Sequence, residues 1–459
     1  MSIARTIGAG FAWSSAGMVV GKVVGFVNIF LILTHLTVYQ YGLTELVFSV
    51  VSTIGLFLLP GLAATVTADL GVERAGAEYG KMKALFLEFF TMSMILSIAA
   101  WALLFFGSTL VAELSGNVLI DKFFKIISFS FLVSPFRVAT TMLATVMVRY
   151  ADQSFFGVSE EIAKCLLLVV FFYWFERGAD GLLWATVLAP VFAVLFFLPR
   201  TLSAYKLFGA AQPDKIEPLW NALREHRKWS VASTYVNTIS KNLRLWIIKL
   251  MLGTEAVGLY SFALGIFSQF GSIANLQSAL TPVVPLYIGR PALLARIMAA
   301  SIKYQLVLSL IAGTLGALAT PILIYLFFPN YVSTLTLSLV VLLAILPNGI
   351  TGNLTPVFTA FKEQRTLFFS IVLRVLSMVI FLPLCIFLWG MTGAGIEFVL
   401  TAFITSFERF MRVKRFLPGF ALTPGVLYVT DAGEKQLIMS ILRRSGVFAI
   451  YEFMFRRAS

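Results

Sequence analysis

The chain contains long, uninterrupted apolar segments, and these limit its possible fold more than any other feature. Several run for 20 or more residues, the length that an α-helix needs to cross the hydrocarbon core of a bilayer. Inside a bilayer every backbone N–H and C=O needs a partner within the protein, which leaves helices or closed barrels. Barrel strands alternate apolar and polar residues over about 10 positions, unlike these continuous runs. The sequence therefore predicts an all-α integral membrane protein. Composition agrees, with 59% hydrophobic and 12% charged residues, and soluble enzyme classes are excluded.

Hydropathy places twelve transmembrane helices along the chain. They are predicted at residues 8–34, 43–68, 84–112, 124–148, 157–176, 181–203, 230–252, 258–287, 303–328, 335–361, 367–389 and 393–411. The first stretch is longer than the core of a signal peptide, about 7–15 residues, so it is assigned as a transmembrane helix.

A long basic connection divides these helices six and six. We expect an N-terminal six-helix lobe at 1–203, a cytoplasmic linker with an amphipathic helix at 204–229, a C-terminal six-helix lobe at 230–411 and a cytoplasmic tail at 412–459. Arg443 and Arg444 interrupt the apolar part of the tail, which makes spanning unfavourable. Because both lobes begin on the same side, any internal repeat is parallel, and two such lobes around a central cavity are typical of transporters.

The basic residues fix the expected orientation. Of the 35 Lys and Arg residues, 25 fall in the N-terminus, the even-numbered loops and the tail, and three fall in the odd-numbered loops. Positively charged loops stay in the cytoplasm, so both termini are expected there, in a multi-pass bacterial inner or archaeal plasma membrane protein. This sorting also accounts for the net charge of +13, so no nucleic-acid partner is expected.

Several polar and basic residues lie inside the predicted spans, where each one is costly unless it faces a bundle interior or a water-filled cavity. Helical phase places many of them on polar stripes, and we expect a cationic cavity formed by Lys22, Arg137, Lys241, Arg244, Arg374, Asn237 and Asn275. Two alternatives stay open. Cations near span ends, such as Lys164 and Lys249, can extend to the membrane surface. The others can pair with buried carboxylates. The candidates are Glu88, Glu160, Glu161, Glu397 and Glu408, mostly near span ends, so the central cations are expected to be under-neutralised.

The tenth predicted span reads LPNGITGNLTP from Leu346 to Pro356. Two prolines and two glycines this close together should break or bend the helix. Pro347, Gly349, Gly352 and Pro356 are therefore candidates for a hinge of alternating access, with a static kink as the alternative.

Catalytic and cofactor motifs are absent from the sequence. There is no GxxxxGK[ST], HExxH, GxSxG or CxxC pattern, so we expect a non-enzyme without a P-loop of its own. Two isolated histidines give no metal-ligand spacing, and no cofactor or metal is expected.

Two short segments carry a family resemblance. Tyr41-Gly42-Leu43 opens a span that ends in Pro60-Gly61-Leu62, and Gly253-Thr254-Glu255-Ala256-Val257-Gly258-Leu259-Tyr260-Ser261 opens one that ends in Thr281-Pro282. With the twelve-span layout up to about residue 415, the chain resembles the polysaccharide (O-antigen type) flippases of the multidrug/oligosaccharidyl-lipid/polysaccharide exporter superfamily.

The resemblance implies a flippase that moves a lipid-linked oligosaccharide, on an undecaprenyl-type pyrophosphate carrier, from the inner to the outer leaflet for surface polysaccharide assembly. The cationic residues would then bind the anionic pyrophosphate head group, with membrane lipids and polysaccharide polymerase or ligase proteins as further partners. Two other classes remain: a multidrug cation/ion antiporter of the same superfamily, which would need buried carboxylates, and a non-transporting subunit of a polysaccharide-assembly complex.

Overall fold

The computed structural model describes residues 3–58, 60–115, 119–214, 228–273 and 276–421, and all of the secondary structure in these ranges is helical. In chain order the α-helices are α1 Ile3–His35, α2 Val38–Ile54, α3 Pro60–Ala75, α4 Tyr79–Ser115, α5 Leu119–Val146, α6 Tyr150–Val169, α7 Ala179–Gly209, α8 Lys228–Leu252, α9 Thr254–Ile273, α10 Gln277–Val283, α11 Pro291–Phe327, α12 Leu335–Leu342, α13 Ile345–Ala360 and α14 Gln364–Phe416. Short 3₁₀ turns occur at Gly55–Leu58, Val284–Tyr287 and Pro329–Thr334, and a π-helical turn at Val170–Trp174.

Six of the described helices are long and apolar enough to cross a membrane, or seven if the bent pair Pro329–Leu342 and Ile345–Ala360 forms one span. The prediction of a multi-pass, all-α membrane protein is therefore confirmed. Helix covers part of every predicted span, but twelve membrane crossings in two six-helix lobes stay a prediction. The second and tenth predicted spans are interrupted rather than continuous, by Gly55–Leu58 and by residues 343–344. In the eighth, Leu276 lies outside helix, directly before α10.

The helix α14 is two helices joined at a sharp turn. Its 53 residues include Gly390 with φ 57° and ψ −136°, a backbone conformation outside the helical range. Arg409 donates from Nε to Ser370 Oγ at 3.1 Å, although 39 residues of straight helix would separate these positions by about 58 Å. The chain therefore folds back at Gly390, between the eleventh and twelfth predicted spans.

The described residues form two compact units, Met1–Thr238 and Ile239–Ser459, called here the N-terminal and C-terminal units. The N-terminal unit packs around fully buried side chains such as Leu168, Leu183 and Leu62. In the C-terminal unit, Ala312, Leu342 and Ile345 form one buried cluster. The boundary lies within α8, and the predicted lobe, linker and tail limits stay predictions. Residues 215–227 of the linker, with its predicted amphipathic helix, and 422–459 of the tail lie outside the described ranges.

The predicted break near Pro347 occurs one turn earlier than the Pro/Gly segment. The helices α12 and α13 meet at an angle of 43° across residues 343–344, whereas Pro347 to Pro356 are continuously helical. Pro347 lies in the first turn of α13, where its missing N–H costs no helical hydrogen bond. The expectation that the helix bends is confirmed, but a break inside the segment itself is wrong.

The two glycines of this segment permit close helix packing. A Cβ at Gly349 would overlap the side-chain amide of Gln305 in α11 and lie 2.9 Å from Ser309 Oγ. At Gly352 it would lie 3.2 Å from Gln277 Oε1. Within α13 these residues therefore serve packing, and a hinge role for Pro347, Gly349, Gly352 and Pro356 stays a prediction.

Candidate functional site

The N-terminal unit places Arg137 next to a carboxylate. Arg137 lies in α5 two residues after Pro135, and its Nε is 2.9 Å from Glu160 Oε2 in α6. The Arg137 side chain is 53% exposed and that of Glu160 19%. The arginine is therefore the more exposed member of the pair, and its guanidinium is accessible to a further anion.

Further charged and polar side chains surround this pair. Asn28 in α1 donates from Nδ2 to Glu161 Oε2 at 2.8 Å and to the Glu161 carbonyl at 3.1 Å. Lys164 lies within Coulombic range of Glu161, Glu45 and Glu160. Glu45 is not among the carboxylates predicted to pair with the cations. Three carboxylates here face two cations, so this part of the unit carries no positive excess.

In the C-terminal unit, Arg244 is buried against Glu397. Arg244 Nη2 donates to Glu397 Oε1 at 3.0 Å, with side-chain exposures of 12% and 0%. Thr401 Oγ1 donates to the same carboxylate oxygen at 2.5 Å. The guanidinium lies over the Phe398 ring at 5.1 Å, a favourable cation–π contact.

This buried pair retains unused hydrogen-bonding capacity. The hydroxyl of Tyr260, a fully buried residue, lies beside the Arg244 guanidinium. Arg244 Nε and Glu397 Oε2 have no hydrogen-bond partner among the described residues. Buried polar atoms without partners are rare, so these two atoms mark a place in the C-terminal unit suited to a polar ligand or water.

Two more arginines extend the positive charge of the C-terminal unit. Arg374 lies within Coulombic range of Arg244, and Arg409 within range of Arg374. Arg409 is 5% exposed and donates to Ser370 Oγ at 3.1 Å, Thr355 Oγ1 at 2.6 Å and the Thr351 carbonyl at 3.2 Å. These acceptors are all neutral.

The other predicted site residues are more scattered. Lys22 is exposed on α1 and Lys241 is exposed on α8, while Asn237 is partly buried in α8. Asn275 lies outside the described residues. Of the predicted set, the structure thus brings together Arg244 and Arg374. The assignment of the set to one cavity stays a prediction.

The expectation that the central cations lack carboxylate partners is wrong for Arg137 and Arg244. Glu160 and Glu397 were named as possible partners, but their positions near span ends suggested that they would not reach. The folded helices place each carboxylate beside its arginine, because separate spans pack side by side. Arg409 is not among the predicted site residues, because it falls in a basic cluster typical of a cytoplasmic loop. No pattern in the sequence indicates that Tyr260 and Thr401 lie at this site.

The charged side chains grouped around Arg244 and Arg409 are mainly positive. Four arginines, Arg244, Arg374, Arg409 and Arg412, face two carboxylates, Glu397 and Glu408. Arginine donates through a planar fork that matches the oxygens of a phosphate or carboxylate. Within the described residues, no group of three or more His, Cys, Asp or Glu side chains could hold a metal ion.

Known structures share this fold. An inward-facing multidrug resistance MATE family transporter of the MOP superfamily matches with a TM-score of 0.66 and 15% identity, over 87% of this chain and 96% of that one. A MATE transporter variant from Vibrio cholerae matches with a TM-score of 0.63 and 16% identity over 90% and 98%. A MOP superfamily transporter from Pyrococcus furiosus, whose reversed binding-pocket polarity suggests a different function, gives 0.58 and 14% over 91% and 99%.

The sequence comparisons identify the family of this chain. No curated protein matches it. A family model described as "Polysaccharide biosynthesis protein" matches residues 7–287, more than half of the chain. The predicted resemblance is thus confirmed: the chain belongs to the polysaccharide biosynthesis protein family, and its fold is that of MOP superfamily transporters.

Proposed function

We propose that this protein is a flippase that moves a lipid-linked oligosaccharide, carried on an undecaprenyl-type pyrophosphate, from the inner to the outer leaflet. The observation that carries the proposal is the positive excess of the C-terminal unit, where Arg244, Arg374 and Arg409 follow one another within Coulombic range. A pyrophosphate carries several negative charges and needs such donors. The family match supports polysaccharide assembly as the process that this transport serves.

The head group would bind through Arg374 and through the donors that Arg244 leaves unused. Arg244 keeps its Nη2 on Glu397, while its Nε has no partner among the described residues. Charge-assisted hydrogen bonds from arginine to phosphate are about twice as strong as neutral ones. Arg244 and Arg374 would therefore contact the phosphates, while Glu397, Thr401 and Phe398 fix the orientation of Arg244.

Transport would proceed by alternating access in a bundle of twelve helices, with the lipid tail remaining in the bilayer. The interrupted spans fit this model, because a bent helix pair changes its angle more easily than a continuous helix does. The 43° bend between α12 and α13 is the clearest candidate, and the Pro347 to Pro356 segment beside it would transmit the motion.

The orientation belongs to the same proposal. Both termini would face the cytoplasm of a bacterial or archaeal cell, where the lipid-linked substrate is made, and polymerase or ligase proteins would act on the product outside. Ser333 is exposed in the turn Pro329–Thr334, and Lys206 is exposed at the end of α7. In a chain without Cys165 and Cys385, an external thiol reagent should label Ser333→Cys and not Lys206→Cys. The opposite pattern would reverse the topology.

Complementation of a strain without this transporter tests the function. Removing a charge-assisted hydrogen bond costs about 1.5–3 kcal/mol, so Arg374→Ala should reduce surface glycan export roughly 10- to 100-fold. Lys249→Ala is the matched control, because Lys249 lies over the Trp246 ring at 4.9 Å and its loss also removes one charge. Immunoblots establish equal membrane levels.

Two results would contradict the proposal. Full export by Arg374→Ala at normal levels would remove the cationic head-group site. Loss of resistance to cationic drugs in the null strain, with surface glycan unchanged, would instead assign the protein to the multidrug exporters.

A further inference from the structure

One end of the N-terminal unit gathers basic side chains at helix termini. Arg74, at the end of α3, donates to the carbonyl of Val146 at the end of α5. Lys83, near the start of α4, donates to the carbonyls of Gly209 at 2.6 Å and Ala211 at 2.8 Å, where α7 ends. The ends of α3, α5 and α7 and the start of α4 therefore lie together.

In the orientation proposed above, on which this inference rests, this end of the unit faces the cytoplasm. The opposite helix ends carry Lys122 and Lys125, and each of them is paired with an aspartate, Asp180 and Asp121 respectively. Basic residues that accumulate at one end of a membrane bundle mark the side that remains in the cytoplasm.

A pocket opens at this end between α5, α6 and α7. Its cavity volume is about 10 Å³, and the lining includes Arg149, Asp152 and Arg200. This is room for about one water, and the apolar wall, formed by Ala144, Phe197 and Ala204, is buried. A larger ligand would therefore bind across the open, charged side of the pocket.

The two arginines of the pocket share one carboxylate. Arg200 Nη1 lies 3.3 Å from Asp152 Oδ1, and Arg149 Nη1 lies 4.0 Å from Asp152 Oδ2. Arg149 Nη1 also donates to Ser203 Oγ at 3.1 Å. The group carries one net positive charge. The side chains are partly exposed, 36% for Arg149 and 54% for Arg200, so both present further N–H donors to a ligand.

Exposed apolar side chains continue from the pocket along α7. Phe192 and Phe196 are 52% and 68% exposed on the same helix, on the side of Arg200 that leads away from the basic end of the unit. In a bilayer these side chains face acyl chains. The pocket therefore lies where the head group of a lipid in the cytoplasmic leaflet would be.

We propose that Arg149 and Arg200 bind the phosphate of an anionic phospholipid in the cytoplasmic leaflet. The acyl chains would lie beside α7, against the exposed side chains of Phe192 and Phe196. Basic pockets between transmembrane helices on the cytoplasmic side bind anionic head groups, and that leaflet carries the negative surface potential. This lipid would be a bound partner of the N-terminal unit, separate from the transported cargo.

Native mass spectrometry of the full-length protein in detergent tests the site, with dioleoyl-phosphatidylglycerol as the ligand and dioleoyl-phosphatidylcholine as the zwitterionic comparison. Arg149→Ala and Arg200→Ala should each weaken phosphatidylglycerol binding about fivefold, which corresponds to about 1 kcal/mol for each basic side chain. Lys206→Ala removes an exposed charge from the same end of α7 and should leave binding unchanged.

Unchanged phosphatidylglycerol binding by the double Ala variant would overturn the proposal, and so would an equal loss in Lys206→Ala. Inorganic pyrophosphate serves as the probe for cargo chemistry, and its displacement of the lipid at similar concentration would assign the pocket to the cargo instead. If the double Ala variant does not fold, Arg149→Lys and Arg200→Lys take its place. Lysine keeps the positive charge but cannot donate two parallel hydrogen bonds to one phosphate, so each variant should bind the lipid with intermediate affinity. Affinity equal to wild type in both would contradict the forked contact.

Discussion

Removing the arginine of the buried pair Arg244–Glu397 should strongly destabilise the C-terminal unit. Arg244→Ala leaves the Glu397 carboxylate, which is 0% exposed, with only the Thr401 hydroxyl as a donor among its described contacts. Breaking a buried ion pair from one side costs about 3–5 kcal/mol. Arg137→Ala removes an arginine that is 53% exposed, for which about 0–1 kcal/mol is expected.

The free energy of unfolding can be compared by SDS titration of the purified chain in mixed micelles, followed by tryptophan fluorescence. The double variant Arg244→Ala/Glu397→Gln should regain most of the lost stability, because a neutral amide replaces the isolated charge. If Arg244→Ala costs no more than Arg137→Ala, or if the double variant is no more stable than Arg244→Ala, the reasoning from burial is refuted.

The same variants separate folding from transport. Loss of export by Arg244→Ala alone has two explanations, since both the head-group contact and the fold are affected. A stable double variant that still fails to export glycan assigns Arg244 to the cargo. A stable double variant that exports normally makes the pair purely structural.

Three further predictions concern packing and the buried arginine. Gly349→Ala should lower the free energy of unfolding in SDS by about 1–3 kcal/mol through overpacking, because its Cβ would overlap Gln305. The control Gly313→Ala, at a position with open space around it, should leave that free energy nearly unchanged. Gly390→Ala should cost about 1–3 kcal/mol, because φ 57° with ψ −136° suits glycine alone, and a wild-type unfolding curve would contradict the assigned turn. Arg409→Lys should lower membrane levels on immunoblots, because one ammonium cannot replace three directed bonds; Arg415→Lys, at an exposed position, should not.

The sequence predicts the helices well because apolar length is a local property. Every predicted span contains helix, and Pro347 signals a real bend in its vicinity. The position of that bend was less predictable. A proline in the first turn of a helix causes no loss of hydrogen bonding, so the break falls before Pro347, and only the packed structure shows that Gly349 lies against α11.

Charge pairing depends on which helices are neighbours, and one sequence does not contain that information. Arg244 and Glu397 are 153 residues apart, and Asn28 and Glu161 are 133 apart. A count of central cations against central carboxylates therefore overestimated the number of uncompensated charges. That count considers only how deep each residue lies within its own span. Long side chains, however, extend several ångströms and reach a neighbouring helix.

The turn at Gly390 contributes to the positive excess that remains in the C-terminal unit after this pairing. The fold-back places Arg374 and Arg409, from opposite arms of α14, within Coulombic range of each other. Like charges brought together in a membrane protein raise its free energy. An anion that binds between such arginines lowers this free energy, and a pyrophosphate does so with more charge than a single phosphate monoester. Under the proposed function the arrangement would therefore be more stable with cargo than without it, as a transporter requires if binding is to drive its conformational change.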